Sequence, residues 1–449
     1  MPLVVRSCLA LLLLTVLAGC IAHTPGIADP DRLTQDVRHY LPPEMAERPL
    51  ITPAAQARLD ADYDRRLFLP WQQQQALLPA EVVFRGVSDY ADRPVYAENL
   101  QPWSRERWRQ LVAAMQQESY PSLMRPAITV RNTACRLFPS SRPLFLDPRQ
   151  PGEGYPFDYA QLSALWSGTP LLITHVSADG AWYFAETDFA AGWLPALDIA
   201  WADDAFRTTY RTGRYAALLR DEVSLRDDHG DFLVKTHLGS VFPVAVEAAA
   251  GLHLLVPVRD ADGRAVIRLA PVAPDLAAVK PLPMQPGLIA ELVNRLLGQP
   301  YGWGGLYENR DCSATLRDLF APFGLWLPRN SADQARFGGT LHDLADLDRN
   351  GKRDYILQQG IPFYTLIWLK GHIGLYIGAD PASGEPLLLH NLWGVKTENR
   401  LGREGRALVG RLAITTLRPG EERSDVEKGR FYDRILGMTI LPGAESAQK

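Results

Sequence analysis

Thirty-five prolines and 35 glycines punctuate the 449-residue chain. Such spacing leaves little room for long helices and favours short strands joined by turns. At roughly 100–200 residues per domain, the length implies two to four domains. The clearest product of the punctuation is a repeated unit. Gly168-Thr169-Pro170 precedes the apolar strand 171–176, and Gly239-Ser240-Val241 precedes the strand 242–246. A second glycine, Gly192 or Gly263, follows 24 residues after the first in each copy, and the copies are offset by 71. Turn, strand, strand and glycine-marked return strand predict two small β-barrels of about 70 residues each.

The segments on either side read differently. Ser104 is a good helix cap, and Trp108, Leu111, Val112 and Met115 share one face, which predicts a helix from Ser104 to about Glu118. No catalytic cluster stands out between residues 20 and 121, so this region is expected to brace the rest. After the barrels, Pro271, Pro274, Pro281, Pro283 and Pro286 mark a linker. A helix follows with Leu288, Ile289, Leu292, Val293, Leu296 and Leu297 on its apolar face, ended by Gly298 and Pro300. The expected organisation is a leader at 1–19, a helical domain at 20–121, barrels at 122–204 and 205–285, and a last domain at 286–449. The net charge is −4, so no basic excess exists to neutralise phosphates and nucleic acid is not an expected partner.

The first barrel carries Asp179-Gly180-Ala181-Trp182-Tyr183-Phe184 and Gly192-Trp193-Leu194-Pro195. These segments resemble bacterial SH3-type domains. The second copy resembles them less, because Arg264 stands where Trp193 would be. Trp166, Trp182 and Trp193 suit either a ligand platform or the core of a small barrel.

At the N-terminus, Arg6 is the only charge among the first 19 residues, and the apolar run 8–17 is about ten residues long. A bilayer core needs about 20, so this is a secretory signal and not a span. The run ends in Leu17-Ala18-Gly19-Cys20. That resembles the lipobox of bacterial lipoproteins, where the cysteine becomes an acylated N-terminus; an ordinary signal with an incidental cysteine is the alternative. Ile21 is not aspartate, which by the same resemblance favours the outer membrane of a Gram-negative host. A lipid-anchored, periplasm-facing protein is the expectation. Cys135 and Cys312 then remain, either as a disulfide or with one as a retained reactive thiol. No CxxC or HExxH spacing supports a metal site, and no cofactor is implied.

The chemistry is concentrated after residue 300. The loop Pro300-Tyr301-Gly302-Trp303-Gly304-Gly305 runs into Asp311-Cys312-Ser313, and Leu316, Leu319 and Phe320 share the face of a following helix. With Asp311 as cap, Cys312 falls in the first helical turn. Free backbone N–H groups and the helix dipole there favour an anion, and a cysteine pKa of about 8.5 can fall to roughly 3.5–7.5 at such a place. A cysteine there is also often just a small buried residue. A nucleophile needs a base. In His372-Ile373-Gly374-Leu375-Tyr376-Ile377-Gly378, alternation puts Ile373, Leu375 and Ile377 toward the core and His372 on the opposite face. Gly374 and Gly378 on that face would leave room for a substrate or a helix. His390 ends the neighbouring strand, and a turn at 380–384 would let it orient His372 as the third member of a triad does. His342 lies among Asp343, Asp346 and Asp348 and reads as a solvated loop residue.

The run 300–305, Asp311-Cys312-Ser313, the strand from Gly371-His372 to Gly378, and His390 together resemble the NlpC/P60 family of cysteine peptidases. The resemblance covers roughly residues 286–420. It implies an α+β fold with a papain-like catalytic domain after two SH3-like barrels and a mostly helical N-terminal domain. One departure is Ala314, where the family continues with glycine. The domain order resembles the branch that cleaves γ-D-glutamyl–L-diamino acid bonds in murein stem peptides. It implies Cys312 as nucleophile, His372 as general base and His390 as orienting group. Asp311 and Ser313 would contact the peptide's N-terminal end and Ser331 its carboxylate. A tyrosine of the first barrel, with Tyr155 as candidate, would bind the free amine of L-alanine. Asp311 and Ser331 are equally readable as helix caps. A monomer is expected. A non-catalytic murein-binding lipoprotein, or an amidase or acyltransferase on the same fold, are the alternatives.

Overall fold

The structure, a computed structural model, describes residues 26–444. The leader and the lipid-attachment candidate Cys20 lie outside the described residues. Thr52 starts α1 (Pro53–Leu67), its Oγ1 accepting the Ala55 N–H at 3.2 Å with proline at the first helical position. A short helix α2 (Arg85–Tyr90) follows. Ser104 caps α3 (Arg105–Ala114), its Oγ accepting the Arg107 N–H at 3.1 Å. The helix stops at Ala114 and not Glu118, because Gln116 turns left-handed (φ 46°) and a 3-10 turn takes over at Gln117–Ser119. Trp108, Leu111 and Met115 pack against Phe138, Phe184 and Trp193, so the helix is fastened to the first barrel.

That barrel contains β1 (Arg125–Thr129), β2 (Thr133–Arg136), β3 (Gln161–Leu165), β4 (Pro170–Val176), β5 (Trp182–Glu186), β6 (Ala191–Pro195) and β7 (Ile199–Trp201), ordered β3-β2-β6-β5-β4-β1-β7. Trp193 is fully buried and Trp166 nearly so, which makes both core residues and not a ligand platform. The second barrel is built on β8 (Tyr215–Leu218), the hairpin β9 (Val223–Arg226) and β10 (Phe232–Thr236), β11 (Val241–Ala248), β12 (Gly251–Arg259), β13 (Ala265–Val272) and β14 (Ala277–Val279). Gly168 and Gly239 correspond well: both precede their strand with a positive φ, 88° and 86°. Gly192 and Gly263 do not. Gly263 sits in a left-handed turn, whereas Gly192 lies within β6, where a Cβ would come within 2.6 Å of the Arg136 carbonyl and the Cys135 sulfur.

The last region has α4 (Pro286–Leu296), α5 (Cys312–Phe320), α6 (Ser331–Arg336) and a six-stranded antiparallel sheet. Its strands are β15 (Thr340–Asp343), β16 (Thr365–Leu369), β17 (His372–Ala379), β18 (Pro386–Glu398), β19 (Glu404–Thr416) and β20 (Ile435–Ile440), ordered β15-β20-β16-β17-β18-β19. Ile289, Leu292, Val293 and Leu296 of α4 and Leu316, Leu319 and Phe320 of α5 share a core with Ile373, Leu375 and Ile377 of β17. The alternation read in 372–378 therefore holds for the apolar face. Gly374 serves a different purpose from the one expected. A Cβ there would meet Leu388 Cγ at 2.7 Å and His390 Cβ at 2.9 Å, so the space belongs to β18 and not to a substrate. The fold is α+β. Among the described residues no helix is long and apolar enough to cross a membrane.

Candidate active site

Asp311 builds the start of α5. Its Oδ1 accepts the Ala314 N–H at 2.9 Å and the Ser313 hydroxyl at 3.2 Å. The same carboxylate receives Arg329, whose Nη2 reaches Oδ2 at 2.6 Å and whose Nη1 reaches Oδ1 at 3.1 Å. Arg329 also donates to Ser313 Oγ at 3.1 Å and, through Nε, to Ser163 Oγ of the first barrel at 2.9 Å. Burial alone would raise the Asp311 carboxyl, but the Arg329 guanidinium outweighs it and holds it below its ordinary value. Asp311 and Ser313, expected as substrate contacts, are thus tied first to an arginine that sequence reading passed over.

His372 opens β17 and His390 lies on β18, both almost fully buried. Their rings meet directly, His372 Nε2 to His390 Nδ1 at 2.8 Å, and His390 Nε2 reaches Thr415 Oγ1 at 3.0 Å. Thr415 donates its hydroxyl proton to the Thr416 carbonyl at 2.7 Å. Its oxygen is therefore left to accept from His390 Nε2–H. His390 Nδ1 is then bare and accepts from His372 Nε2–H, which leaves His372 Nδ1 with a free lone pair. Asn391, beside His390, turns away and donates to the Arg310 carbonyl at 2.8 Å.

Cys312 lies against β17. The backbone N–H groups of Ile373 and Ser313 favour its thiolate, but burial and the Asp311 carboxylate dominate and push the thiol up to about 12. Burial, aided by Arg434, pushes His372 down to about 3, and burial with His372 beside it drives His390 well below its ordinary value. Burial therefore disfavours charge on the Cys312 thiol and on the His372 and His390 rings alike. The N–H groups at the helix start act in the expected direction on the sulfur, and loss of water and the neighbouring Asp311 carboxylate act against them. Cys135 and Cys312 are both free, so the disulfide alternative falls as well.

The cleft over Cys312 has a volume of about 330 Å³ and three regions wall it. The last domain supplies Tyr301, Trp303, Gly304, Asp311, Ser313, Ser331 and Gly371, the first barrel Tyr159, Gln161 and Leu162, and α2 supplies Arg85, Asp89 and Tyr90. Tyr155 is not among them; it is 62% exposed, and Tyr159, four residues on, takes the cleft position. The bracing region also enters the site, which no motif in residues 80–90 announced. Docking of the barrel depends on Gly304 and Gly305, at φ 58° and 85°. A Cβ on either would run into β3, at 2.3 Å from the Gln161 carbonyl and 2.4 Å from the Ala164 nitrogen. Behind this loop His237 of the second barrel meets Glu308 at 2.6 Å and Asp221 at 3.5 Å, while Arg310 binds Asp221 and Asp318. His342 is occupied by Tyr355 at 2.9 Å, away from the cleft. Among the described residues no cluster of three or more His, Cys, Asp or Glu side chains is suited to hold a metal.

Comparison with known proteins agrees with this geometry. Residues 298–400 match the NlpC/P60 family, 7–120 the N-terminal NLPC_P60 stabilising domain, 143–195 an SH3 domain of SH3b1 type and 203–248 one of SH3b2 type. No curated protein matches the chain. An NlpC/P60 endopeptidase from Photobacterium damselae subsp. piscicida is 27% identical with a TM-score of 0.79, over 92% of this chain and 96% of that one. An NlpC/P60 family protein from Bacillus cereus ATCC 10987 is 16% identical with a TM-score of 0.42, over 62% of this chain and 82% of that one. With four domain models matched in order and a fold similar to that endopeptidase over nearly the whole chain, the protein belongs to the NlpC/P60 family of cysteine peptidases.

Proposed function

We propose that this protein cleaves the γ-D-glutamyl–L-diamino acid bond of murein stem peptides that carry a free N-terminal L-alanine. The observation that carries the reading is the proton chain Thr415–His390–His372, which presents a bare His372 Nδ1 at the start of the strand against which Cys312 packs. Cys312 is the nucleophile, His372 the general base and His390 the group that fixes its tautomer. The thiol proton passes to His372 Nδ1 as sulfur attacks the γ-glutamyl carbonyl, with α5 N–H groups facing the developing oxyanion. Collapse of the tetrahedral species breaks the C–N bond, and the imidazolium gives its proton to the leaving amine. Water, deprotonated by His372, then hydrolyses the thioester and frees the thiol.

The cleft walls favour a short substrate. Asp89 and Tyr159 replace Tyr155 as the candidates for the alanine ammonium, because Asp311 is already neutralised by Arg329. Ser331 lines the same cleft and suits the glutamyl carboxylate. The test is to incubate the mature protein with L-Ala-γ-D-Glu-diaminopimelate and with its N-acetylated form, identifying products by mass spectrometry. Cleavage of the free-amine peptide between glutamate and the diamino acid is expected, with the acetylated form resistant. Equal cleavage of both would remove the free-amine requirement, and cleavage elsewhere would remove the bond assignment. For location, we propose lipid anchoring through Cys20 facing the periplasm; Cys20→Ser should release the protein from the membrane fraction.

A further inference from the structure

The chain is pinned to the body of the protein from Ile27 onward. Ile27 is buried in a small apolar cluster with Leu392, Val395, Ala407 and Val426. The Ala28 N–H donates to Glu422 Oε1 at 2.6 Å. Asp29 accepts the Thr416 N–H at 2.8 Å and the Thr416 hydroxyl at 2.7 Å. Leu33, Val37, Leu50 and Ile51 then enter the core of the last domain, so residues 27–51 form no tether. Between Cys20, the proposed acylation site, and Ile27 lie seven residue steps (27 − 20). A fully extended chain covers at most about 3.3–3.6 Å per residue, so Ile27 stands no more than about 25 Å from the point of attachment.

That reach covers the end of the β18–β19 hairpin. Val395 and Ala407, both packed on Ile27, are cross-strand partners, and the ladder runs three pairs further, to Glu398 and Glu404. At about 3.4 Å per residue, the tip lies roughly 10–15 Å beyond Ile27. Asn399 orders this tip. Its Oδ1 accepts the Leu401 N–H at 2.9 Å and the Arg403 N–H at 3.0 Å, and its own N–H donates to the Arg403 carbonyl at 3.0 Å. The turn presents Leu401, which at 80% is more exposed than any other large apolar side chain among the described residues. Arg400 and Arg403 flank it, and among the described residues neither meets a carboxylate. Residues 396–406 hold four basic and two acidic side chains, against a net charge of −4 for the whole chain. One of the two acids, Glu404, is paired with Lys396, and the other is Glu398. A single exposed leucine on a protein surface needs no account. This one crowns an ordered turn, between two unpaired arginines, within reach of the anchor. An apolar apex gains by leaving water for the headgroup layer, and guanidinium groups pair with phosphate there. A local basic excess is drawn to anionic lipid. At the base of the same hairpin, Trp393 meets Tyr301 of the cleft wall, ring centroids 5.9 Å apart.

We infer that the end of the β18–β19 hairpin is a lipid-contact element. Leu401 enters the headgroup layer of an anionic bilayer while Arg400 and Arg403 pair with lipid phosphates. The acylated Cys20 and this tip then hold the protein at two points, which fixes how the cleft behind Trp393 faces the membrane. This rests on the Cys20 anchor proposed above.

The test puts an environment-sensitive fluorophore on Leu401→Cys in a Cys312→Ala background, where Cys135 is buried and acylation blocks Cys20. The full mature protein is reconstituted into vesicles of phosphatidylethanolamine and phosphatidylglycerol. Emission should shift to the blue and be quenched by nitroxide-labelled lipid. The same dye on Leu197→Cys, a 66% exposed position of the first barrel, should show neither effect. Arg400→Gln and Arg403→Gln should each lower the bound-to-free ratio of the tip by about fivefold. Equal emission and quenching at 401 and 197 would overturn the lipid contact, and a signal indifferent to both arginine substitutions would remove the phosphate pairing. Intact-mass analysis of the same preparation reads the anchor separately. If Cys20 carries no acyl group, the anchor reading fails. The tip is then read on protein starting at residue 21, held to nickel-chelating vesicles by an N-terminal histidine tag. Quenching at 401 there upholds the lipid contact, and its absence removes it.

Discussion

Two buried histidine sites flank the same stretch of chain, 300–312, and they are tuned in opposite directions. The His372–His390 pair sits among uncharged partners: each other, the Thr415 hydroxyl and the Phe431 ring. His237 is equally enclosed, its ring tilted 31° against Trp166 at 4.4 Å between centroids, but it has Glu308 at 2.6 Å and Asp221 at 3.5 Å. Burial lowers the basicity of all three rings. At His237 the two carboxylates win against burial and against the opposing Arg310, so its pKa is raised; at the pair nothing opposes burial and His372 falls to about 3. Solvent exclusion alone does not decide what a histidine does. The counter-charge does, and it separates a ring that burial makes less basic from an interdomain latch that its carboxylates make more basic.

The largest test of this contrast is removal of the reacting groups. Cys312→Ala should abolish turnover, and His372→Ala should lower kcat/KM by about 10²–10⁴-fold, with melting temperatures close to wild type. The pH profile of kcat/KM should hold flat from near neutrality to beyond pH 9. An alkaline loss near pH 8.5 would instead mean that the active form is a preformed thiolate–imidazolium pair. Iodoacetamide labelling of the free thiol should likewise keep rising with pH above 9, since burial holds the thiol up at about 12.

Stability should change next in size, with opposite signs at the two sites. His237, with its folded value raised above 6.5, stabilises fully below that pH and loses the contribution as pH rises through the raised value. His372, depressed to about 3, costs stability as pH falls below 6.5, because the unfolded chain takes a proton that the fold refuses. These two sites together place a stability maximum near pH 6.5. Urea unfolding of His237→Gln should show a loss of about 1–3 kcal/mol at pH 6, narrowing toward zero at pH 9. A loss that is constant with pH would break the latch account. The smallest effect is expected at Thr415. Thr415→Val leaves His390 Nε2–H without an acceptor and should cost up to about tenfold in kcat, while Thr415→Ser should restore it. If the valine variant matched wild type across pH, the proton order assigned along the chain would be wrong.

What could be read in the chain and what could not divides by distance along it. The cap at Asp311, the alternation of Ile373, Leu375 and Ile377, and the paired turns at Gly168 and Gly239 are local patterns, and each is present in the fold. The cleft walls are not local. Arg329 reaches Ser163 across 166 residues, and α2 meets the site from more than 200 residues before Cys312, with no spacing to reveal either. Tyr155 and Tyr159 are equivalent in a sequence, and only the bend between them decides which enters the cleft. The thiol's surroundings divide in the same way: the dipole belongs to its own helix, whereas the burial that opposes it comes from other parts of the fold.

The cleft is a seam where three parts of the chain meet. In the proposed mechanism catalysis draws on the sulfur and the imidazoles of the last part, while the other two parts that wall the cleft would discriminate among peptides. Conditions that loosen the seam without unfolding the last domain should therefore make the enzyme less selective before they make it inactive. Fidelity, in this arrangement, is a quaternary-like property carried inside one polypeptide.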